Sequence, residues 1–101
     1  LDTRFLPNPF YIDRLRNRTG KSDSVRDYVL NAEETKNFLK ELVGFVDRLI
    51  PRFVKEGKSN LTISIGCTGG KHRSVVVAED LRRHLKGMRP AVKIYHRDIY
   101  K

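Results

Sequence analysis

Residues 66–74 read Gly-Cys-Thr-Gly-Gly-Lys-His-Arg-Ser, so three glycines, a thiol, two hydroxyls and three basic side chains fall within nine positions. Just before them, Leu61, Ile63 and Ile65 alternate with Thr62 and Ser64, the pattern of a strand with one apolar face. Just after them, Val76, Val77, Leu81 and Leu85 recur at helical spacing over 72–86, and Gly87 is a natural stop. A glycine-rich turn in that setting lets successive backbone N–H groups point inward. The first turn of the helix adds unpaired donors and a partial positive charge. Together these make a cradle for a phosphate group. Lys71 and Arg73 add full charges, and the Arg73 guanidinium offers a two-pronged contact.

Two known loop signatures lie close to this string. The nucleotide P-loop, G-x-x-x-x-G-K-[ST], does not fit: the span from Gly66 to Gly70 is one residue short, and His72 stands where a magnesium-binding hydroxyl belongs. The phosphatase loop, C-x-x-G-x-x-R-[ST], is matched by Cys67, Gly70, Arg73 and Ser74. In that reading Cys67 is a nucleophile of lowered pKa, Arg73 clamps the phosphoryl oxygens, Ser74 assists the thiolate, and Asp2 or Asp98 supplies the proton. The opposing reading makes Cys67 a small wall that lends only its backbone N–H, in a module that binds without catalysis. His72 has no second ligand at metal-binding spacing and suits anion contact or pH sensing. Asp2 and Arg4 flank Thr3, so on a strand they share a face and reach the loop if that strand lies beside 61–65. The triplet His96-Arg97-Asp98 mimics a kinase catalytic loop, but only three residues follow, too few for the asparagine that chemistry needs.

The elements that would position the loop follow from periodicity. Residues 2–6 suit the tail of a strand, and Pro7-Asn8-Pro9 stops it. Residues 10–16 suit a short helix or turn, and Thr19-Gly20 is a break. Asp23 is a cap for a helix over 24–30. The spacing predicts a long helix over 33–55, with Phe38, Leu42, Phe45, Leu49 and Phe53 as its stripe and Leu39, Val43, Val46 and Ile50 beside it. Pro51 should kink that helix or end it near Ile50, and Gly57 should stop it. Residues 91–96 suit a last strand. Strand, loop, helix and strand form a βαβ unit, so the expected class is α/β, a small and mostly parallel sheet of three to four strands flanked by helices.

The chain has 101 residues, enough for one domain, and a formal charge of +9. Residues 71–101 hold nine basic and three acidic side chains, which concentrates the excess in the last third. That field attracts phosphates and nucleic acid. Arg82, Arg83, Lys86, Arg89, Lys93 and Arg97 could line one basic face for RNA phosphates, with Tyr95 and Tyr100 available to stack on bases. A solvated helix face is the competing reading. One cysteine excludes an internal disulfide and suits a reducing compartment, and no apolar run approaches a membrane span. Without a signal segment the expected location is cytoplasmic, and a start at Leu1 suggests a piece of something longer.

Four stretches carry a resemblance over nearly the whole chain: DTRFLPNPFY at 2–11, Leu15-Arg16 to Thr19-Gly20, EGKSNLTISIGCTGGKHRSVVVAE at 56–79, and YHRDIYK at 95–101. They look like the C-terminal domain of the RapZ/YvcJ family, the bacterial RNase adapter and nucleotide-binding proteins. The resemblance implies one domain over 1–101, likened to part of a phosphofructokinase. It implies an N-terminal P-loop domain outside this chain, where ATP or GTP would bind, and no cofactor in this domain. It implies sensing of an amino-sugar phosphate or nucleotide sugar, binding of a small RNA or a regulatory protein, and a role in oligomerisation. The implied ligand pocket maps onto Cys67, Thr68, Gly69, Gly70, Lys71, His72 and Arg73, with Asp2, Arg4, Asn8 and Ser59 nearby. RNA-binding members carry a basic C-terminal tail, of which Lys101 is the last residue here.

Overall fold

The computed structural model describes residues 1–57, 62–67, 69–86 and 94–97. Its elements are a 3₁₀ turn at Pro9–Tyr11 and four helices: α1 at Asp13–Arg16, α2 at Asp23–Leu30, α3 at Glu33–Glu56 and α4 at Arg73–Lys86. The helices α2, α3 and α4 pack against one another. Their shared core is Val25 and Val29 from α2, Leu39, Leu42, Val46 and Ile50 from α3, and Val76, Val77, Leu81 and Leu85 from α4, closed by Leu6 and Leu15. None of the described helices is long and apolar enough to cross a membrane.

The expected α/β class is overturned. Among the described residues there is no sheet; the one strand-like feature is an isolated parallel bridge between Asp2 and Gly66. The likeness to a phosphofructokinase subdomain therefore has no counterpart in the described residues. Of the alternation at 61–65, Leu61 lies outside the described residues, and Ile63 and Ile65 are half-buried against the core. A strand, however, also needs a neighbour to complete its ladder. Residues 2–6 supply only the bridge, because the chain turns after Thr3, where the Leu6 N–H returns to the Thr3 carbonyl at 3.1 Å. Residues 94–96 carry no strand, and 91–93 lie outside the described residues.

The helices match expectation more closely. Ser22, rather than Asp23, is the capping position of α2, and Asp23 sits in its first turn. The helix α3 runs through Pro51 to Glu56 instead of ending near Ile50. Proline removes the bond to the carbonyl four residues back. Pro51 is exposed and Asp47 only half-buried, so water can serve that carbonyl. Gly57 then closes the helix at φ 87°, its N–H on the Phe53 and Val54 carbonyls. The buried seam of α3 is Thr35, Leu39, Leu42, Val46 and Ile50. The expected stripe is rotated away from it: Leu42 is its one buried member, and Phe45 is exposed while Phe38, Leu49 and Phe53 are half-buried.

Gly20 marks where the first turn of α4 meets the Thr19–Ser22 turn. Its N–H donates to the Lys71 carbonyl at 2.9 Å. A Cβ there would lie 2.6 Å from the His72 carbonyl oxygen and 2.7 Å from the Val75 Cβ. Gly20→Ala is therefore expected to destabilise by about 1–3 kcal/mol through overpacking. Gly44→Ala, inside α3 where the nearest atom would be the Arg48 guanidinium at 3.6 Å, is expected to stabilise by roughly 0.5–1 kcal/mol. Urea denaturation of the two variants checks this; equal midpoints would contradict the packing argument.

Candidate functional site

The loop is built on a strap formed by the first residues of the chain. The Leu1 amino group donates to the Ser64 carbonyl at 2.7 Å. The Gly66 N–H donates to the Leu1 carbonyl, and the Thr3 N–H and hydroxyl both donate to the Gly66 carbonyl, at 2.7 and 2.9 Å. From the other side the Arg73 guanidinium donates to the Arg4 carbonyl and, at 3.2 Å, to the Leu6 carbonyl. Arg73 is only 4% exposed, and its Nε has no partner among the described residues. Its Nη1 is turned toward the strap. In the structure this side chain makes a structural tie: the orphaned carbonyls of a strap without a sheet are what a buried guanidinium can satisfy.

Cys67 sits where the cradle donors meet. Its sulfur lies 3.2 Å from Ser74 Oγ, and the Ser74 N–H donates to it at 3.3 Å. Ser74 is the second residue of α4, so this sulfur takes the place of a helix-capping oxygen. Burial pushes the thiol pKa up, but hydrogen bonds from the Ser74 hydroxyl and from the N–H groups of Ser74, Gly70 and His72 outweigh it, and the net shift is downward. Gly69 and Gly70, at φ 79° and 66°, make that convergence possible, because only glycine adopts two successive left-handed conformations without strain. The arrangement can hold an anion; in this conformation the sulfur stands at its focus.

The other expected residues divide. His72 is buried and its ring Nε2 donates to the Arg16 carbonyl at 3.0 Å, so the imidazole anchors the loop to the end of α1 rather than facing a ligand. Burial holds its pKa below the ordinary value, with carbonyls of Arg18 and Arg16 opposing and the charges of Lys71 and Arg73 adding to the fall. Lys71, half-buried, and exposed Gly69 border the loop. Asp2 and Arg4 pair with each other in the open: Arg4 Nε lies 3.0 and 2.8 Å from the two Asp2 oxygens. The Arg4 hydrogen bonds hold the Asp2 carboxyl below the usual range. The bridge to Gly66 keeps Asp2 at the mouth of the loop. Asn8 caps the 3₁₀ turn by accepting from the Phe10 N–H at 3.1 Å. Ser59, Thr68 and Asp98 lie outside the described residues.

Of the basic face, Arg82 is half-buried and Arg83 and Arg97 are exposed. The Lys86 side chain, Arg89, Lys93, Tyr100 and Lys101 lie outside the described residues. Tyr95 is exposed, 84% of its surface free. Sequence reasoning missed the contribution of Leu1, Thr3, Leu6, Arg16 and Gly20 to the loop. Their one visible signal was Thr19-Gly20, legible as a break and not as a contact.

The family model described as the RapZ C-terminal domain matches residues 1–100. Three relatives, each called a nucleotide-binding protein, match almost end to end. That of Ruminiclostridium cellulolyticum is 54% identical over 100 residues, 99% of this chain and 34% of its own length. That of Caldicellulosiruptor bescii is 52% identical over 100 residues, again 99% and 34%. That of Thermoanaerobacter pseudethanolicus is 55% identical over 98 residues, 97% of this chain and 34% of its own. The chain thus spans about a third of the length of the relatives it matches.

The depressed His72 pKa fixes the sign of one pH effect. The folded chain holds the ring neutral, so below the ordinary value of 6.5 the unfolded chain takes up the proton first. The contribution is complete above pH 6.5 and is lost as pH falls through the folded-state pKa. The melting temperature should fall between pH 7 and pH 5, and His72→Gln should flatten that fall. Parallel melting curves against pH for the two proteins would refute it.

Proposed function

The chain belongs to the RapZ C-terminal domain family, and on that basis we propose that it is a regulatory domain sensing a phosphate-bearing metabolite, an amino-sugar phosphate or nucleotide sugar, at the Gly66–Ser74 loop. The sensed state is passed to a small RNA or a regulatory protein in the cytoplasm. The observation that carries this reading is the Ser74 N–H aimed at the Cys67 sulfur at the start of α4, next to Gly69 and Gly70 at positive φ and with Lys71 at the rim. Such a donor is fixed by the backbone, and an oxyanion would take it by displacing the Cys67 sulfur. The exposed Arg97 and Tyr95 near the end of the described chain support the RNA arm.

A second reading, a cysteine-dependent phosphatase, is favoured by one observation: Cys67 lies on the donors with its pKa lowered and Ser74 beside it. Against it stands Arg73, whose Nη1 is already engaged by the Arg4 and Leu6 carbonyls. With the clamp so engaged, binding without turnover is the better account.

Two experiments separate these. A ligand that binds the folded chain raises its melting temperature by mass action. An amino-sugar phosphate or a nucleotide sugar should do so, and Lys71→Glu should abolish the shift while the unliganded melt stays close to the parent's. A short single-stranded RNA should shift the parent at low salt and progressively less as salt rises. No shift with any sugar phosphate, nucleotide sugar or RNA defeats the sensing reading. For the second reading, aryl phosphate is the probe: no turnover is expected from the parent, and turnover that disappears in Cys67→Ser would establish the enzyme instead.

A further inference from the structure

A cleft of about 280 Å³ opens beside Gly20, lined by Lys21, Arg26 from α2, and Val76, Glu79, Arg82 and Arg83 from α4. Four cations therefore surround one carboxylate. Glu79 is already engaged: His96 lies on it at 2.8 Å, and its nearest approach to Arg82 is 3.7 Å. The acids nearest Arg26 and Arg83 belong to the same helices. Arg26 is 3.4 Å from Asp23 and 3.7 Å from Asp27, and Arg83 is 3.4 Å from Asp80. Those pairs are exposed, long and separated by at most one turn, the kind that contributes little. They balance charge along each helix, and all four cations line the cleft. Arg82 Nε, itself shut off from solvent, has no acceptor among the described residues. A buried N–H left without an acceptor is costly, as is a convergence of like charges without a counter-ion.

We propose that this cleft is a second anion seat, separate from the Gly66–Ser74 loop, which takes the phosphate group of a small phosphorylated metabolite between Lys21, Arg26, Arg82 and Arg83. The size decides between free metabolite and nucleic acid. At about 280 Å³ the space is at the small end of ligand pockets, and its cations line a concavity. A polynucleotide backbone is followed by a groove or stripe of cations instead. The sequence hides this seat, because Lys21 and Arg26 stand more than fifty positions from Arg82 and Arg83 and belong to no motif. The inference does not depend on the loop's being a sensor; the two sites are read by different amides.

The test is an amide-resolved NMR titration of the ¹⁵N-labelled chain with inorganic phosphate and then a hexose monophosphate, at constant ionic strength with potassium chloride as the control. The amides of Gly20, Lys21, Val76 and Arg82 should shift and saturate. Arg82→Gln should weaken that saturation about tenfold, a loss of about 1.4 kcal/mol, while the response of Gly69 and Gly70 is unchanged. Arg26→Gln should weaken it likewise, which keeps the test open if one variant folds poorly. Shifts confined to Gly69 and Gly70 would overturn the proposal while leaving the loop reading intact. Linear shifts reproduced by chloride would overturn it, as would saturation seen only with a single-stranded RNA oligonucleotide.

Discussion

The Arg73 guanidinium, buried at the start of α4, holds the carbonyls of Arg4 and Leu6. The strap at residues 1–6 has no helix and no ladder of its own, so its polar backbone must find partners elsewhere. Gly66 supplies them on one flank and Arg73 on the other. Burying a cation carries a desolvation cost that is offset only by good acceptors. Here the acceptors are neutral carbonyls, and Nε goes without one among the described residues. Truncating this side chain would leave two carbonyls of the strap short of a donor. Leu6 would lose its fixed place in the core, and Gly66 would lose the neighbour that sets the entry of the loop.

The basic tripeptide Lys71-His72-Arg73 illustrates how one run of charge is divided by direction. His72 points to the Arg16 carbonyl and Arg73 to the strap, so both act as internal ties. Lys71 is left to the rim, while its own carbonyl is taken by the Gly20 N–H. What the loop leaves for the start of α4 is therefore backbone amide more than charged side chain. Such a site is set by φ and ψ at Gly69 and Gly70 and by the Cys67 sulfur that caps the helix.

What was legible beforehand follows a physical rule. Helices α2, α3 and α4 declare themselves because their hydrogen bonds are internal, so a local pattern is sufficient evidence. Gly57 was legible as a stop for the same reason. A strand is a relation between distant segments, and alternation at 61–65 reports only that one side is half-buried. It could not report that residues 2–6 turn after Thr3 and leave a single bridge. Likewise the expected row Phe38, Leu42, Phe45, Leu49 and Phe53 has the same period as the buried row Leu39, Leu42, Val46 and Ile50 and shares only Leu42 with it. Which row faces α2 and α4 is decided by neighbours that the pattern does not contain. The glycine loop and its place before α4 were legible; the aim of Arg73 was not, since its acceptors lie 69 and 67 positions away. The family was legible from long strings that survive whatever the fold does with them.

The bridge between Asp2 and Gly66 joins points that are far apart along the chain, and the tie from Leu1 to Ser64 spans 63 positions. Such closures come late in folding, because the entropy of closing a long loop must be met before the contacts formed there can reward it. The helices can gather around their core with the strap still loose. The loop entry at Gly66 therefore rests on contacts that helix formation alone does not secure, and an opening confined to the strap would release it well short of global unfolding.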